Sequence, residues 1–344
     1  IGSLENGAHI VVGTPARIEE HLRKGKLSLD DLHTLVLDEA DRMLDMGFQP
    51  TLDAILALAP PKRQTLLFSA TFPEQIEQMA DRVLKSPVLA QVEESLDNVN
   101  IDQRFYRVRD DRERLMAVRL LLHDLQPESA LVFCNTKQGT ADVADALREQ
   151  GFSAVALNGN LEQKQRDQVL VRFTNKSVSV LVATDVAARG LDIDTLDLVI
   201  NYQMALDAEV HVHRVGRTGR AGERGIACTL FNEREGRKVD ELQGYLGVTF
   251  PPQALPDAQV LNAPPPRPPM ATLQIDGGRK QKMRAGDILG ALTNEQGISG
   301  QDVGKIQIFE MSAYVAVKRE SANAALSALS QGKVKGKAVR VRRL

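Results

Sequence analysis

The sequence predicts an α/β protein with doubly wound parallel sheets, followed by a C-terminal module of order βαββαβ. Three observations carry this prediction. Short β-branched runs alternate with amphipathic helical segments through residues 1–250, which is typical of βαβ units. A segment at 251–269 holds eight of the 15 prolines. Beyond the prolines, the order of the elements changes and positive charge accumulates.

The parallel-sheet region divides near residues 93–100. In the second part, the runs ALVFCN, SAVAL, VSVLVATD, LDLVIN and GIACTLF predict strands, with helices at TADVADALREQ and LEQKQRDQVLVRF. The first part repeats the theme with only four strands, HIVV, TLVL, QTLLF and VLAQV. We therefore predict domains over 1–92 and 101–250, joined by a linker at 93–100, and we expect the first domain to be incomplete.

After the prolines, TLQIDG, KIQIFEM, AYVAVKR and GKAVRVRRL predict four strands, with helices at RAGDILGALTNEQ and ANAALSALSQG. This order, over 270–344, is that of the RNA-recognition module, although other ferredoxin-like folds share it. The prolines at 251–269 exclude a helix or an interior strand. They predict an extended, semi-rigid linker.

Composition and charge narrow the functional classes. No apolar run reaches the roughly 18 residues that a membrane span needs, so we expect no membrane partner. The two cysteines, Cys134 and Cys228, cannot supply a disulfide framework or a zinc cluster, so we expect no disulfide partner and a cytoplasmic location. Residues 271–344 hold 13 Lys and Arg against 6 Asp and Glu, whereas residues 1–270 hold 30 against 39. This asymmetry indicates a polyanionic partner, with a solvated basic face as the alternative.

The strand TLVL ends in two carboxylates, Asp38 and Glu39, within the run DEADRMLDMGF. At the carboxyl edge of a parallel sheet, Asp38 can hold Mg²⁺ through water, and Glu39 can orient the water that attacks a γ-phosphate. An acidic helix N-terminus is the alternative for the four letters alone. About thirty residues later, Ser69-Ala70-Thr71 follows another strand, and its hydroxyls can bridge these carboxylates to a neighbouring domain.

The run HRVGRTGR at 213–220 has two arginines, Arg217 and Arg220, three residues apart. Their planar guanidinium groups can both point at one polyphosphate. A surface turn rich in arginine is the alternative, but it does not require glycines at this spacing. His211 and His213 lack further Cys or His ligands nearby in sequence, so a metal site is disfavoured.

The run TDVAARGLD at 184–192 follows another predicted strand. Gly190 and Asp192 can approach a nucleotide there, and Thr184 can reach a backbone phosphate. A capped turn from strand to helix is the alternative.

These motifs, in this order, resemble those of the DEAD-box RNA helicases of superfamily two, over residues 1 to about 250. TPAR at 14–17 is similar to the family's TPGR, LVFCNTK at 131–137 resembles its fourth motif, and QKQR at 163–166 resembles its QxxR element. The resemblance implies two RecA-like domains that close over ATP and single-stranded RNA, with Mg²⁺ as a second cofactor.

The resemblance also implies roles for single residues. The residues expected to contact RNA phosphates are Thr14, Arg17, Thr136, Arg166 and Thr184. Those expected to hold ATP are Gly190, Asp192, Arg217 and Arg220, and those expected to couple the domains are Asp41, Ser69, Thr71 and His213. The sequence itself supports one of these sites, because Thr14-Pro15 predicts a helix N-cap whose free amides face an anion.

The C-terminal module makes the chain similar to the bacterial DbpA group, through ATLQIDGGRKQKMRAGDILGAL and AYVAVKRE. The run EVHVHR at 209–214, before the proline-rich segment, also resembles that group. That similarity implies remodelling of large-subunit ribosomal RNA in pre-ribosomal particles. The only aromatic residues of the C-terminal module are Phe309 and Tyr314, so its sheet has few side chains on which RNA bases could stack. We expect recognition by the basic residues after the first strand, which are Arg279, Lys280, Lys282 and Arg284. General solvation is the alternative for this loop.

The sequence departs from the family by an alanine at position 16, where the family has glycine, and by the lack of three motifs. It contains no G-x-x-x-x-G-K-[ST] loop, no upstream glutamine motif and no PTREL-type motif. We therefore expect an N-terminally truncated helicase, whose 344 residues bind RNA but do not hydrolyse ATP. A non-catalytic RNA-binding remnant is the alternative, although the intact Glu39, Arg217 and Arg220 favour the enzyme. A DNA translocase of the same superfamily is disfavoured by the C-terminal module.

Overall fold

A computed structural model describes residues 4, 7–69, 72, 74–90, 101–188, 196–219, 224–294 and 297–344. The chain forms two compact units, 1–93 and 94–344. The second unit contains a parallel-sheet domain, here called the second domain, and the C-terminal module. No helix in the described ranges is long and apolar enough to cross a lipid bilayer.

The first unit has a parallel pair of strands, β1 and β2, with helices packed around it. Its elements are α1 (Pro15–Arg23), β1 (Thr34–Leu37), α2 (Ala40–Asp45), α3 (Gln49–Leu58), β2 (Gln64–Leu67) and α4 (Glu74–Val83). Leu37, Leu52 and Met79 form its core. Val36 and Phe68 are about half exposed, so part of the sheet surface faces solvent.

Two of the four strands predicted for the first unit, HIVV and VLAQV, do not form over the residues that the structure describes, so these two predictions are wrong. Residues 9–12 and 88–90 are irregular, and Ile10 and Val12 are almost fully exposed. A β-branched run favours an extended backbone, but a strand forms only where a neighbouring segment supplies backbone partners. Here β1 and β2 pair with each other, and neither predicted segment pairs with them.

The second domain is a seven-stranded parallel sheet of order β5-β6-β4-β7-β8-β3-β9. Its strands are β3 (Ile101–Arg107), β4 (Ala130–Phe133), β5 (Ala154–Leu157), β6 (Val180–Ala183), β7 (Leu198–Asn201), β8 (Gly225–Phe231) and β9 (Pro252–Gln253). Its helices are α5 (Asp111–Leu125), α6 (Lys137–Glu149), α7 (Gln163–Thr174), α8 (Asp185–Ala188), α9 (Ala208–Val215) and α10 (Gly236–Leu246). Strands β4, β6 and β7 are buried throughout, as helices on both faces of a parallel sheet require.

The C-terminal module has the predicted βαββαβ order, and its antiparallel sheet has the strand order β11-β12-β10-β13. Its elements are β10 (Met270–Asp276), α11 (Ala285–Leu292), β11 (Val303–Ile308), β12 (Ser312–Lys318), α12 (Ala322–Gln331) and β13 (Val341–Arg343). Leu273, Val315 and Leu329 lie in the core between the sheet and the helices. The predicted fold class is therefore confirmed.

The other face of this sheet is covered by the second domain. Thr272, Gln274 and Tyr314 are all at most 2% exposed, although they point away from the module's own helices. The Thr272 hydroxyl lies 2.7 Å from the Ser177 hydroxyl, and the Gln168 side-chain amide donates to Gln274 Oε1 at 3.1 Å. The face on which RNA-recognition modules usually stack bases is thus an internal interface in this chain.

The proline-rich segment lies along the second domain instead of spanning a gap. Its first residues form the edge strand β9, which pairs with β3, and Ala258–Asn262 form a 3₁₀ helix that packs against α5. Pro265 approaches the turn at Gly151, whose φ of +86° ends the preceding helical segment. A proline pattern predicts an extended backbone but contains no information about the surface on which that backbone lies.

Candidate functional site

The two strands of the first unit place their polar motifs side by side at their carboxyl ends. Residue Leu37 pairs with Leu67, and the Ala40 N–H donates to the Phe68 carbonyl at 3.0 Å. The Asp41 N–H donates to the Ser69 hydroxyl at 3.2 Å. The structure therefore joins the predicted coupling residues Asp41 and Ser69, whereas Thr71 lies outside the described residues.

Both carboxylates at the end of β1 are exposed. One oxygen of Asp38 accepts the Glu39 N–H at 3.0 Å, which fixes the Asp38 side chain at the sheet edge. Glu39 has a left-handed backbone conformation, with φ of 52°, between the end of β1 and the start of α2. Such conformations are strained for residues other than glycine and cluster at functional sites.

The N-terminus of α1 presents two of the predicted RNA-contacting residues. Thr14 occupies the N-cap position, Pro15 is the first helical residue, and the Thr14 side chain makes no capping hydrogen bond. Arg17 pairs with Glu20 at 2.5 Å. Hydrogen bonds from Lys24 and Arg17 lower the pKa of Glu20 to about 2.

Three further predicted RNA-contacting residues lie at the carboxyl edge of the second domain's sheet. The Thr136 hydroxyl accepts the Gly139 N–H at 3.0 Å, and the Thr184 hydroxyl accepts the Ala187 N–H at 3.3 Å. Arg166 donates to the Ala187 carbonyl at 2.7 Å, so Arg166 and Thr184 hold the same short turn. Within the described ranges each hydroxyl accepts one hydrogen bond, so its own hydrogen can be donated to a further acceptor.

Helix α9 carries the first residues of the HRVGRTGR run. His213 is exposed on it, and Arg217 follows it in a half-buried turn. The backbone of that turn is fixed by hydrogen bonds, because the Arg217 N–H donates to the Arg214 carbonyl and the Arg217 carbonyl accepts the Leu196 N–H. The other predicted nucleotide-binding residues, Gly190, Asp192 and Arg220, lie outside the described residues.

The other histidine of α9 is structural. His211 is buried, its Nε2 lies 3.1 Å from Gln103 Oε1, and its ring stacks on Phe105. Burial, with a smaller contribution from the positive charge of Arg214, lowers the pKa of His211 to about 4. Among the residues described, no group of three His, Cys, Asp or Glu side chains is arranged to hold a metal ion.

Arg214 is a residue that the sequence did not single out. Its side chain is 1% exposed and donates to both carboxylate oxygens of Asp185, at 2.6 and 2.8 Å. It also donates to Asn135 Oδ1 at 2.7 Å and lies over the Phe133 ring at 5.1 Å. The sequence signal for it is its position inside the HRVGRTGR run, since Asp185 and Asn135 lie 29 and 79 residues away in the chain.

The predicted basic loop of the C-terminal module is held tightly by its backbone. The Arg279 N–H donates to the Phe309 carbonyl at 2.8 Å, and a Cβ on Gly278 would lie only 2.2 Å from that carbonyl. Glycine is therefore the residue that allows this close approach. Lys282 follows in a left-handed conformation, and Arg284 begins α11 as its N-cap.

A second basic loop, which the sequence analysis missed, lies beside the first. The Lys335 ammonium donates to the Lys282 carbonyl at 2.7 Å. Val334 and Lys337 form a backbone bridge around Lys335 and Gly336, which both have positive φ, so the segment is a tight hairpin turn. Its spacing, K-V-K-G-K, was the available sequence signal.

The exposed cations of these two loops form one group, here called the basic loop pair, with the members Arg279, Lys280, Lys282, Arg284, Lys333, Lys335 and Lys337. Within the part of the chain that the structure describes, no carboxylate forms an ion pair with any of them. By contrast, Lys318 in the same module pairs with Asp302 at 2.8 Å. Unpaired cations clustered on one surface suit a polyanion.

Comparisons with known proteins agree with this geometry. The model of the DEAD/DEAH box helicases matches residues 1–79, that of the helicase conserved C-terminal domain matches 113–222, and that of the DbpA RNA binding domain matches 272–343. The chain is 49% identical to the ATP-dependent RNA helicase DbpA of Escherichia coli, over 99% of this chain and 74% of that protein. It is 34% identical to the ATP-dependent RNA helicase DbpA of Bacillus subtilis, over 98% and 75%.

A solved structure of Dbp5 from S. cerevisiae, bound to RNA and ADP BeF3, also matches this chain. Its TM-score is 0.63 and its identity is 28%, over 71% of this chain and 66% of that chain. The parallel-sheet units and their edge motifs thus define an RNA helicase with RecA-like folds. With its C-terminal module, the chain belongs to the DEAD-box ATP-dependent RNA helicases of the DbpA type.

Proposed function

We propose that the complete protein uses ATP to unwind or remodel ribosomal RNA locally during assembly of the large ribosomal subunit, and that the C-terminal module targets it there. The observation that carries this proposal is the basic loop pair. Its cations are exposed and lack ion pairs in the described structure, while the sheet face beside them is buried. Pre-ribosomal particles, rich in phosphate, are the proposed partner, and the cytoplasm is the proposed location. Cys134 and Cys228, both buried free thiols, suit its reducing conditions.

The proposed catalytic residues follow from their positions at strand ends. Asp38 is exposed and uses one oxygen for the Glu39 N–H, so its carboxylate fits a hydrated Mg²⁺. Magnesium is commonly held by one or two carboxylates together with the substrate phosphates, and when bound it would offset negative charge on those phosphates. We assign Glu39 to orienting the attacking water, and Arg217 and Arg220 to the γ-phosphate.

The remaining roles concern coupling and RNA. We assign coupling to Asp41, Ser69, Thr71 and His213, and ribose and nucleotide contact to Asp192 and Gly190. Thr136 and Thr184 would donate their hydroxyl hydrogens to RNA phosphates, and Arg166 would add positive charge beside Thr184. Thr14 and Arg17 would contact RNA phosphates at the N-terminus of α1, where free amides favour an anion.

The 344 residues alone should bind RNA without hydrolysing ATP, because they contain no G-x-x-x-x-G-K-[ST] loop to hold the phosphates. The same observation favours a second candidate, a non-catalytic RNA-binding protein. The coding sequence upstream of the Ile1 codon separates the two. An in-frame phosphate-binding loop supports the helicase, and a start codon without one contradicts it.

The proposed target is tested by binding. We would measure the affinity of this chain, at 150 mM KCl, for a transcript of large-subunit ribosomal RNA and for a small-subunit transcript of equal length. We expect a preference of at least about tenfold for the large-subunit transcript, because specific sites exceed non-specific binding by far more than this. In parallel assays with RNA we expect no ATP turnover. Equal affinities would contradict the ribosomal target, and RNA-stimulated turnover would contradict the assignment for the chain alone.

A further inference from the structure

Arg214 connects the loops of three neighbouring strands in the second domain. Its guanidinium donates to Asp185 after β6, to Asn135 after β4, and to the Gln203 carbonyl after β7, the last at 2.9 Å. Asn135 is itself fixed, because its N–H donates to Gln203 Oε1 and its side-chain amide donates to the Met204 carbonyl, both at 3.0 Å. A single buried cation therefore sets the relative positions of three loops.

Two of these loop residues directly adjoin the threonines that we assign to RNA. Asn135 precedes Thr136, and Asp185 follows Thr184. Arg214 itself lies on α9 next to His213, and the Arg217 N–H donates to its carbonyl at 3.1 Å. The side chain thus reaches the RNA-facing loops while the backbone holds the turn of a residue assigned to ATP.

We infer that Arg214 is a positioning residue that holds Thr136 and Thr184 in place for the RNA backbone and connects their positions to that of Arg217. This inference rests on the proposed function of those residues. The bidentate pairing with Asp185 needs a planar guanidinium, which lysine cannot replace. Loss of the guanidinium group releases the loops of Asn135 and Asp185 but leaves Thr136 and Thr184 in the chain.

The second domain offers a matched control in Arg114. Its side chain is equally buried, donates to the Leu230 carbonyl at 3.0 Å and pairs with Glu235 at 2.7 Å. It also donates to the Tyr202 carbonyl. None of these partners adjoins a residue assigned to RNA or ATP, so Arg114 separates a structural role from a positioning role.

The experiment measures binding of a fluorescein-labelled 12-nucleotide oligouridylate to the full chain at low salt. The background carries Arg279→Gln, Lys280→Gln, Lys282→Gln and Arg284→Gln, so that the C-terminal loops contribute little. Into it we would introduce Arg214→Lys, Thr136→Val, Thr184→Val or Arg114→Lys singly. We would also combine the two threonine substitutions, with and without Arg214→Lys. Asp185→Asn is a second route to the same loss, and circular dichroism reports folding and Tm.

We expect Arg214→Lys to weaken binding about tenfold, as the loss of hydrogen bonds to a charged group predicts. We expect Asp185→Asn to do the same. Combined with Thr136→Val and Thr184→Val, Arg214→Lys should add little, because it acts through those two threonines. Arg114→Lys should lower the Tm at least as much, yet change oligouridylate binding less than twofold.

Four results would overturn the inference. The first is unchanged binding in Arg214→Lys while Thr184→Val weakens it, which would still support the proposed RNA surface. The second is simple additivity of Arg214→Lys with the two threonine substitutions, because the effect of Arg214 would then not act through Thr136 and Thr184. The third is an equal loss of binding in Arg114→Lys, which indicates a general structural effect. The fourth is unchanged binding in Thr184→Val and in Thr136→Val, which rejects the RNA surface itself and the inference with it.

Discussion

The second domain and the C-terminal module present positive charge in two different ways. In the second domain, Arg166 donates to the Ala187 carbonyl and the buried Arg214 side chain donates to partners in three loops. In the basic loop pair, the lysines and arginines are exposed and have no ion pair in the described structure. One region therefore fixes its polar groups in space, and the other leaves its charges exposed to solvent.

This difference predicts two kinds of RNA binding. Fixed hydroxyls and backbone turns make contacts that depend on geometry and change little with salt. Exposed cations bind by releasing condensed counterions, so their affinity falls steeply as salt rises. We therefore expect RNA binding by the second domain to change little with salt, and RNA binding by the basic loop pair to weaken steeply as salt rises.

The largest effect is expected from neutralising Arg279, Lys280, Lys282 and Arg284 together as glutamine. Each lost phosphate contact should lower the slope of log affinity against log salt by about one. We expect affinity for structured ribosomal RNA to fall on the order of 100-fold at 100 mM salt, with a much flatter slope. Filter binding from 50 to 300 mM KCl measures both quantities. An unchanged affinity would mean that these loops do not bind the RNA.

The control for that variant loses the same charge elsewhere. Lys26, Lys62, Lys85 and Arg237 are exposed and lie outside both candidate RNA surfaces. Neutralising these four should leave the salt slope nearly unchanged. If it flattens the slope as much, net charge alone governs binding and the distinction between the two regions is lost.

Acidification provides the next test, because it affects the second domain while the basic loop pair stays charged. His211 has a folded pKa of about 4, lowered by burial and then by Arg214, against about 6.5 in the unfolded chain. The unfolded state therefore binds more protons between these values, and stability falls as pH drops from about 6.5 to 4. The contribution at pH 5 is about 2 kcal/mol.

Replacing His211 with glutamine removes this titration. Urea unfolding at pH 7 and pH 5 should show that the wild-type chain loses about 2 kcal/mol more than His211→Gln on acidification. His33→Gln, which removes an exposed histidine of the first unit, is the control and should behave as wild type does. An identical loss in wild type and His211→Gln would show that protonation of His211 does not destabilise the folded chain.

The local parts of this architecture could be predicted from sequence. The runs that form β4 and β6 are apolar, and Thr136 and Thr184 follow them closely, so the shared carboxyl edge of these paired parallel strands brings both threonines to one side. Strands β3 and β9 were not predicted, because IDQRFYR and PQ are not β-branched runs. Long-range contacts could not be predicted. Arg214 reaches Asn135 across 79 residues, and Lys335 reaches Lys282 across 53. Contacts between residues so far apart produce no periodic pattern in a single sequence, so they cannot be predicted from it.

The sequence also did not predict that the second domain covers one face of the C-terminal sheet, although it showed that this face is polar. Thr272 and Gln274 alternate with the core residues Leu273 and Ile275, as solvent-facing residues would. Their partners in the second domain make that face an interface of hydrogen bonds instead. Alternation distinguishes a polar face from an apolar one, but it does not distinguish water from a polar protein surface.

The smallest effect is expected from breaking that interface at Thr272. Its hydroxyl lies 2.7 Å from the Ser177 hydroxyl and accepts the Asn175 side-chain amide at 3.2 Å. Thr272→Val keeps the shape but removes the acceptor of the buried Asn175 amide, while the Ser177 hydroxyl keeps its hydrogen bond to the Arg172 carbonyl at 2.9 Å. The expected cost is about 1 kcal/mol. Because each region then moves more independently, the gain in effective concentration from binding one RNA at two places should fall.

NMR relaxation measures this loss of joint motion directly, since the C-terminal module should tumble faster in Thr272→Val than in the wild-type chain. Thr293→Val, whose exposed hydroxyl bonds only within its own helix in the described structure, is the matched control and should leave tumbling unchanged. Unchanged tumbling in Thr272→Val would mean that backbone and apolar contacts alone hold the module in place. Faster tumbling with unchanged RNA affinity would instead mean that the two binding regions act separately.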